Sequence, residues 1–197
     1  MRTDLAALVG SRICHDLISP IGAIGNGVEL LTMSGPQASS PELDLISQSV
    51  HNANARIGFF RIAYGTAASD QMLGRQEILA VLAATAQGGR FTYYWQVEGD
   101  QSRTRVRTAF LLLQCFETAL PLGGEIQIAQ DGDDWVLTGT GSRLVVDADL
   151  WAGLTDPALD VAHKASQVQF ALVPSAIAQS DSTLQVSNTD DTITARF

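Results

Sequence analysis

A chain of 197 residues that is 46% hydrophobic and 17% charged carries enough apolar side chain to bury one generous core or two small ones, and too much to stay disordered. Its formal net charge is −9, the acidic excess lies mainly beyond residue 68 and Lys164 is the only lysine, a balance that argues against nucleic acid as a partner and against a polybasic membrane patch. No apolar stretch approaches the roughly 18 residues that span a bilayer, the N-terminus lacks the layout of a signal peptide, and the isolated Cys14 and Cys115 build neither a disulfide framework nor a metal site, so the expectation is a cytoplasmic protein with no membrane association, no metal and two reduced thiols.

Thr3 or Asp4 caps a first helix, along which Ile13, Leu17, Ile24, Val28 and Leu31 recur near the helical period and form its buried face. The run Ser34-Gly35-Pro36-Gln37-Ala38-Ser39-Ser40 is a turn by composition. Ser39 with Glu42 three residues on, and Pro41 near the first helical position, opens a second helix. Leu43, Ile46, Val50, Ala53, Ile57, Phe60 and Tyr64 then alternate steps of three and four, a heptad seam that packs helix on helix. Residues 1–68 are thus expected to form an antiparallel helical hairpin. Two such helices bury their apolar faces poorly alone, and the economical remedy is a homodimer in which two hairpins make a four-helix bundle.

His15 lies two residues from both Ile13 and Leu17, which at about 100° per residue turns it about 200° from each, away from the buried face and toward solvent. Ser11, Ser19, Gly22 and Asn26 share its side at helical spacing, a strip of small and polar residues on which a partner protein can rest. Within His15-Asp16-Leu17-Ile18-Ser19-Pro20-Ile21, Pro20 removes the amide that would bond the Asp16 carbonyl and loosens the helix one turn beyond the histidine. The run resembles the phosphoacceptor box of sensor histidine kinases: a histidine, an acid, a small polar residue at the fourth position after it, a proline at the fifth and an aliphatic at the sixth.

The chemistry suits that resemblance, because an imidazole with an ordinary pKa near 6.5 is nucleophilic at neutral pH without a separate base, so His15 can take a phosphoryl group directly. Asp16, the second candidate catalytic residue, either fixes the ring tautomer by a hydrogen bond or stands as a solvated helix charge. Ser19 either orients phosphate oxygens or water or bonds its own helix backbone. Arg12 either meets phosphate or an acidic partner or makes a structural salt bridge. His51 and His163 have no motif around them and read as ordinary surface or boundary histidines.

From residue 69 to 197 the pattern becomes mixed. Helices are expected over residues 77–86, 104–120 and 168–179, and strands over residues 91–97, 123–128, 135–138, 184–186 and 192–197, with Asp131-Gly132 as a hairpin turn. The fold class is therefore α+β: a helical hairpin followed by an α/β sandwich. The order of elements in that second part is similar to the Bergerat-type ATP-binding domain of histidine kinases. The kinase motifs do not carry over. Gln114 and Thr118 occupy the slots of the asparagines that hold magnesium and phosphates, Gly139 of Gly139-Thr140-Gly141 replaces the aspartate that reads adenine, and between Leu150 and Val173 Gly153 is the only glycine where a phosphate-cradling lid should be. Gly139-Thr140-Gly141 reads instead as a loop bend.

A phosphoacceptor helix joined to a domain without nucleotide motifs resembles the ChpT-like histidine phosphotransferases of bacterial phosphorelays, and the run from Ser11 to Leu31, with Cys14 before the histidine and Asn26-Gly27-Val28-Glu29-Leu30-Leu31 at its end, is similar to that family rather than to kinases at large. The resemblance implies a homodimeric bundle, a degenerate second domain, a hybrid histidine kinase as donor and response-regulator receiver domains as clients. It also implies no cofactor on this chain, with magnesium on the receiver alone. Docking is expected through Arg12, Ser19, Gly22 and Asn26. Two rival readings are a divergent ATP-dependent histidine kinase and a non-enzymatic pseudokinase module that binds regulators while His15 never carries phosphate.

Overall fold

A computed structural model describes residues 4–34, 40–68, 70–156 and 158–197. The first helix, α1 (Leu5–Ser34), is capped by Asp4, whose Oδ1 accepts from the Ala7 amide at 3.1 Å. It runs through Pro20, and α2 (Ser40–Ala63) returns beside it. The alternative cap Thr3, the turn at 35–39 and the Ser39 cap lie outside the described residues.

The heptad seam of α2 divides between two neighbours. Ala53 and Phe60 are buried and Ile46 is half-buried, and these positions meet the rest of the chain; Leu43, Val50 and Ile57, the alternate positions, are exposed. Opposite Ile46 sits Gly27, where a Cβ would come within 2.5 Å of Ile46 Cγ1, so the two helices approach as closely as they do only because the residue is glycine. On α1, Ile13, Leu17, Ile24 and Leu31 are half-buried as expected, but Val28 is exposed. It belongs with Ile18 and Ile21 to an outward apolar stripe, because a straight helix drifts against a strict repeat and carries Val28 off the inner face.

The remaining chain is a layered α+β unit. Strand β1 (Met72–Leu73) pairs antiparallel with β3 (Gln101–Ser102), and between them lie α3 (Arg75–Ala86) and β2 (Phe91–Trp95). There follow α4 (Arg103–Ala119), β4 (Gly124–Asp131), β5 (Asp134–Thr140), α5 (Ala148–Thr155), α6 (Val168–Gln179), β6 (Gln185–Asn188) and β7 (Thr192–Arg196). The main sheet has the order β2-β4-β5-β7-β6, with β2 parallel to β4 across the α4 crossover and the other pairs antiparallel. The Asp131-Gly132 turn closes the β4–β5 hairpin as expected, pairing Asp131 with Asp134. The small β1/β3 ladder and α5 have no counterpart in the expected elements, since two-residue strands carry no periodicity to read.

Helix α4 lies at the centre: Thr108 through Phe116 are all buried, and Phe110, Phe116, Trp135 and Phe170 are among the largest side chains of the core. The same apolar cluster continues into the end of α2 through Phe59, Phe60, Ile62 and Ala63, and Phe59 and Phe110 meet at 4.8 Å between ring centroids. Polar contacts tie the same junction. Arg103 donates from Nε to the Thr66 carbonyl at 3.0 Å, just past α2, and from Nη2 to the Arg61 carbonyl at 2.9 Å in its last turn.

Candidate phosphoacceptor site

The helical period turns His15 away from the half-buried Ile13 and Leu17, and the imidazole is 85% exposed. Its Nδ1 lies 3.0 Å from Asp16 Oδ1. An ionised carboxylate only accepts hydrogen bonds, so in the neutral ring Nδ1 carries the proton and Nε2 presents its lone pair to solvent. Asp16 itself is only 11% exposed; its Oδ2 accepts from Arg12 Nε at 2.8 Å and faces Arg56 Nη1 at 3.7 Å. Arg12 donates from Nη1 to the Ser166 carbonyl at 2.8 Å. Of the two readings of Arg12, the structure therefore displays the intramolecular ion pair.

Ser11, Ser19, Gly22 and Asn26 are exposed on the histidine's side of α1, and a Cβ added at Gly22 would meet nothing within 4 Å. Pro20 is buried in the wall of a cleft of about 390 Å³ that runs between the hairpin and the second unit. Arg12, Asp16 and Ser19 line one side of that cleft, and Tyr93, Gln114 and Glu117 line the other. His51 is exposed with Nδ1 at 2.7 Å from the Ser47 carbonyl, and burial draws the His163 pKa down; neither stands in the cleft wall.

Glu117 and Arg56 carry no motif. The one trace of Glu117 is an acid inside the otherwise apolar run of α4. Tyr93 donates its hydroxyl to Glu117 Oε1 at 2.5 Å. Burial raises the Glu117 carboxyl above the ordinary glutamate range, Asp16 adds to that, and the Tyr93 hydrogen bond with the Arg12 and Arg56 charges works against it. Burial, and the Glu117 charge after it, likewise push the Tyr93 hydroxyl far up. A carboxyl whose pKa is higher in the folded than in the unfolded state adds stability below the unfolded value, and that contribution is lost as pH rises through the folded one. Glu117→Gln is accordingly expected to melt close to wild type near pH 4 and to gain on it progressively toward pH 8; a gap that narrows with rising pH in thermal unfolding would contradict this.

At the positions of the kinase nucleotide motifs the side chains are committed elsewhere. Gln114 is buried and its Oε1 accepts from the Tyr64 hydroxyl at 2.7 Å, with burial pushing the Tyr64 pKa up to about 12. Thr118 donates to the Gln114 carbonyl at 2.9 Å and accepts from Gln169 Nε2 at 3.1 Å. Gly139 is not in a loop bend, contrary to the expectation: it pairs with Ile126 and Ile193 inside β5, and a Cβ there would meet Phe116 Cδ2 at 2.7 Å. Where a lid would follow, α5 packs instead, its Trp151 lying 5.9 Å from Phe116 and 5.5 Å from Phe170 between ring centroids. Among the described residues no three or more metal-type side chains converge, and no helix is long and apolar enough to cross a membrane.

Residues 75–192 match the model of the histidine phosphotransferase C-terminal domain. The chain is 37% identical over 153 residues to the protein phosphotransferase ChpT of Brucella abortus (strain 2308), covering 73% of this chain and 70% of that one. A solved structure of a bacterial phosphotransferase superposes with a TM-score of 0.80 at 27% identity, covering 100% of this chain and 96% of that chain, so the likeness includes the helical hairpin that the family model leaves out. The chain therefore belongs to the histidine phosphotransferase family, and its role is phosphotransfer in a two-component phosphorelay.

Proposed function

We propose that His15 is the phosphorylated residue, taking the phosphoryl group from an aspartyl phosphate on the receiver domain of a hybrid kinase and passing it to the receiver domains of response regulators. The observation that carries this reading is the exposed imidazole whose Nδ1 is pinned to Asp16, which leaves Nε2 as the outward nucleophile. The Nε2 lone pair forms the N–P bond while the P–O bond to the receiver aspartate breaks, its electrons remaining on that carboxylate. Asp16 then faces a positively charged ring. This chain supplies little further covalent help, and the magnesium that stabilises the phosphoryl oxygens sits on the receiver. Ser19, Gly22 and Asn26 give the receiver a low surface beside the histidine. Since two-component receivers work inside the cell, the reading puts this chain in the cytoplasm.

The reading also makes the chain a homodimer. Ile18, Ile21 and Val28 of α1 and Leu43, Val50 and Ile57 of α2 form an exposed apolar face, and a second copy's hairpin completes it as a four-helix bundle.

The deciding experiment mixes the protein with a receiver domain carrying labelled phosphate and follows acid-labile label onto this chain, without ATP. Label that never leaves the receiver would favour a module that only binds regulators. ATP itself is expected not to bind, because the Gly139 and Phe116 packing fills the adenine side of the kinase-like site and Gln114 and Thr118 are bonded to Tyr64 and Gln169. A saturable, magnesium-dependent calorimetric isotherm at micromolar ATP would overturn that expectation.

A further inference from the structure

On an open helix surface an aspartate turns freely, and a hydrogen bond from it to a neighbouring histidine is held only part of the time. Asp16 is not free. Both of its oxygens are engaged, Oδ1 with His15 and Oδ2 with Arg12, and the side chain is 11% exposed. Arg12 is held in turn at 2.8 Å by the carbonyl of Ser166, which lies 154 positions along the chain in the 3-10 turn Ala165–Gln167 that opens onto α6. A guanidinium is a rigid planar fork. With one prong fixed on a backbone carbonyl, the direction of its Nε–H is fixed too, and that bond sets the plane of the Asp16 carboxylate. Arg56, from α2, stands 3.7 Å from the same Oδ2 and adds a second positive charge on that side.

We propose that Arg12 is a positioning residue for phosphotransfer, anchored by the second domain: the Ser166 carbonyl holds the guanidinium, the guanidinium holds Asp16, and Asp16 keeps His15 in the tautomer with its proton on Nδ1. This rests on the reading of His15 as the acceptor. In the other tautomer the lone pair sits on Nδ1, aimed at the Asp16 carboxylate and away from any incoming phosphorus. The arrangement gives the second domain a part in the chemistry that needs no nucleotide, because the segment leading into α6 acts as a buttress for the acceptor helix. Arg12 then works inside the chain rather than on the partner.

The test is single-turnover transfer from a phosphorylated receiver to Arg12→Ala and Arg12→Lys in the full chain, at several receiver concentrations, with nitrogen NMR of the His15 ring. The maximal transfer rate is expected to fall about ten- to hundredfold in Arg12→Ala, as for loss of other groups that orient a reacting ligand. It should fall less in Arg12→Lys, the half-saturating receiver concentration should hold, and the His15 signals should move from the Nδ1–H form toward a mixture of tautomers. A raised half-saturating concentration at unchanged maximal rate would make Arg12 a docking residue and overturn the proposal. So would a slower rate with unchanged His15 signals, which marks a merely structural role. Should Arg12→Ala lose its folded state, Arg12→Lys and Asp16→Asn read the same split. His15→Ala run alongside separates the two failures: label persisting on that variant overturns the acceptor assignment and the role of Arg12 with it, whereas label lost there with wild-type kinetics in Arg12→Ala overturns the role of Arg12 alone.

Discussion

Replacing His15 with alanine is expected to abolish acid-labile labelling of this chain by a phosphorylated receiver domain while leaving thermal unfolding within about 0.5 kcal/mol of wild type, as for other surface substitutions. The loss is complete because no second imidazole stands in for it: His51 is bonded to the Ser47 carbonyl on the other helix and His163 lies outside the cleft wall. Stability is spared because the ring is 85% exposed and is bonded to Asp16, which keeps Arg12 and Arg56. Docking should survive as well, measured by titration of the unphosphorylated receiver. Gly22→Leu should do the reverse. Nothing lies within 4 Å of a Cβ there, so the hairpin tolerates the side chain, and the receiver loses its close approach while His15 remains chemically competent. Normal relay by the alanine variant, or label on His51 or His163, would show the site to be elsewhere.

The second large effect is on assembly. At tens of micromolar the protein should sediment as a dimer, and Ile57→Glu should convert it to a monomer that keeps its helical circular dichroism. Ile57 is 51% exposed in the single chain, and Val50 and Leu43 are exposed one and two heptads before it, so a carboxylate there costs the lone hairpin little. Across a dimer interface the same carboxylate is desolvated, and an apolar contact that contributes on the order of 1.5–3 kcal/mol per buried aliphatic is lost from both copies. Val50→Glu should behave alike, whereas Phe60→Glu, buried against the chain's own core, should unfold the hairpin's junction with α4. A wild-type monomer at that concentration would refute the bundle.

Much of this was legible from local order. The helical period turned His15 outward from Ile13 and Leu17, the heptad of α2 announced a helix that packs on another helix, and Asp131-Gly132 marked its hairpin, because each of these follows from the spacing of residues within a few turns of chain. The altered slots at Gln114, Thr118 and Gly139 were likewise visible as residue types. What those residues do instead was not: the Gln114 bond to Tyr64 spans 50 positions, and the cavity that a Gly139 side chain would need is filled by Phe116, Leu120 and Ile193 from two other elements.

The sequence by itself supplied the candidate chemistry: a histidine, an acid beside it and a proline one turn on, within one stretch of helix. Only the tertiary structure decided how that acid is held. The Ser166 carbonyl reaches Arg12 across 154 positions, Arg56 comes from the facing helix, and Glu117 reaches the same cleft from the last turn of α4. Periodicity records which side of its own element a residue occupies; it carries no record of what another element brings to meet it. The division of the α2 seam follows the same rule, since Ile46, Ala53 and Phe60 differ from Leu43, Val50 and Ile57 in nothing but the neighbour that packing assigned to each.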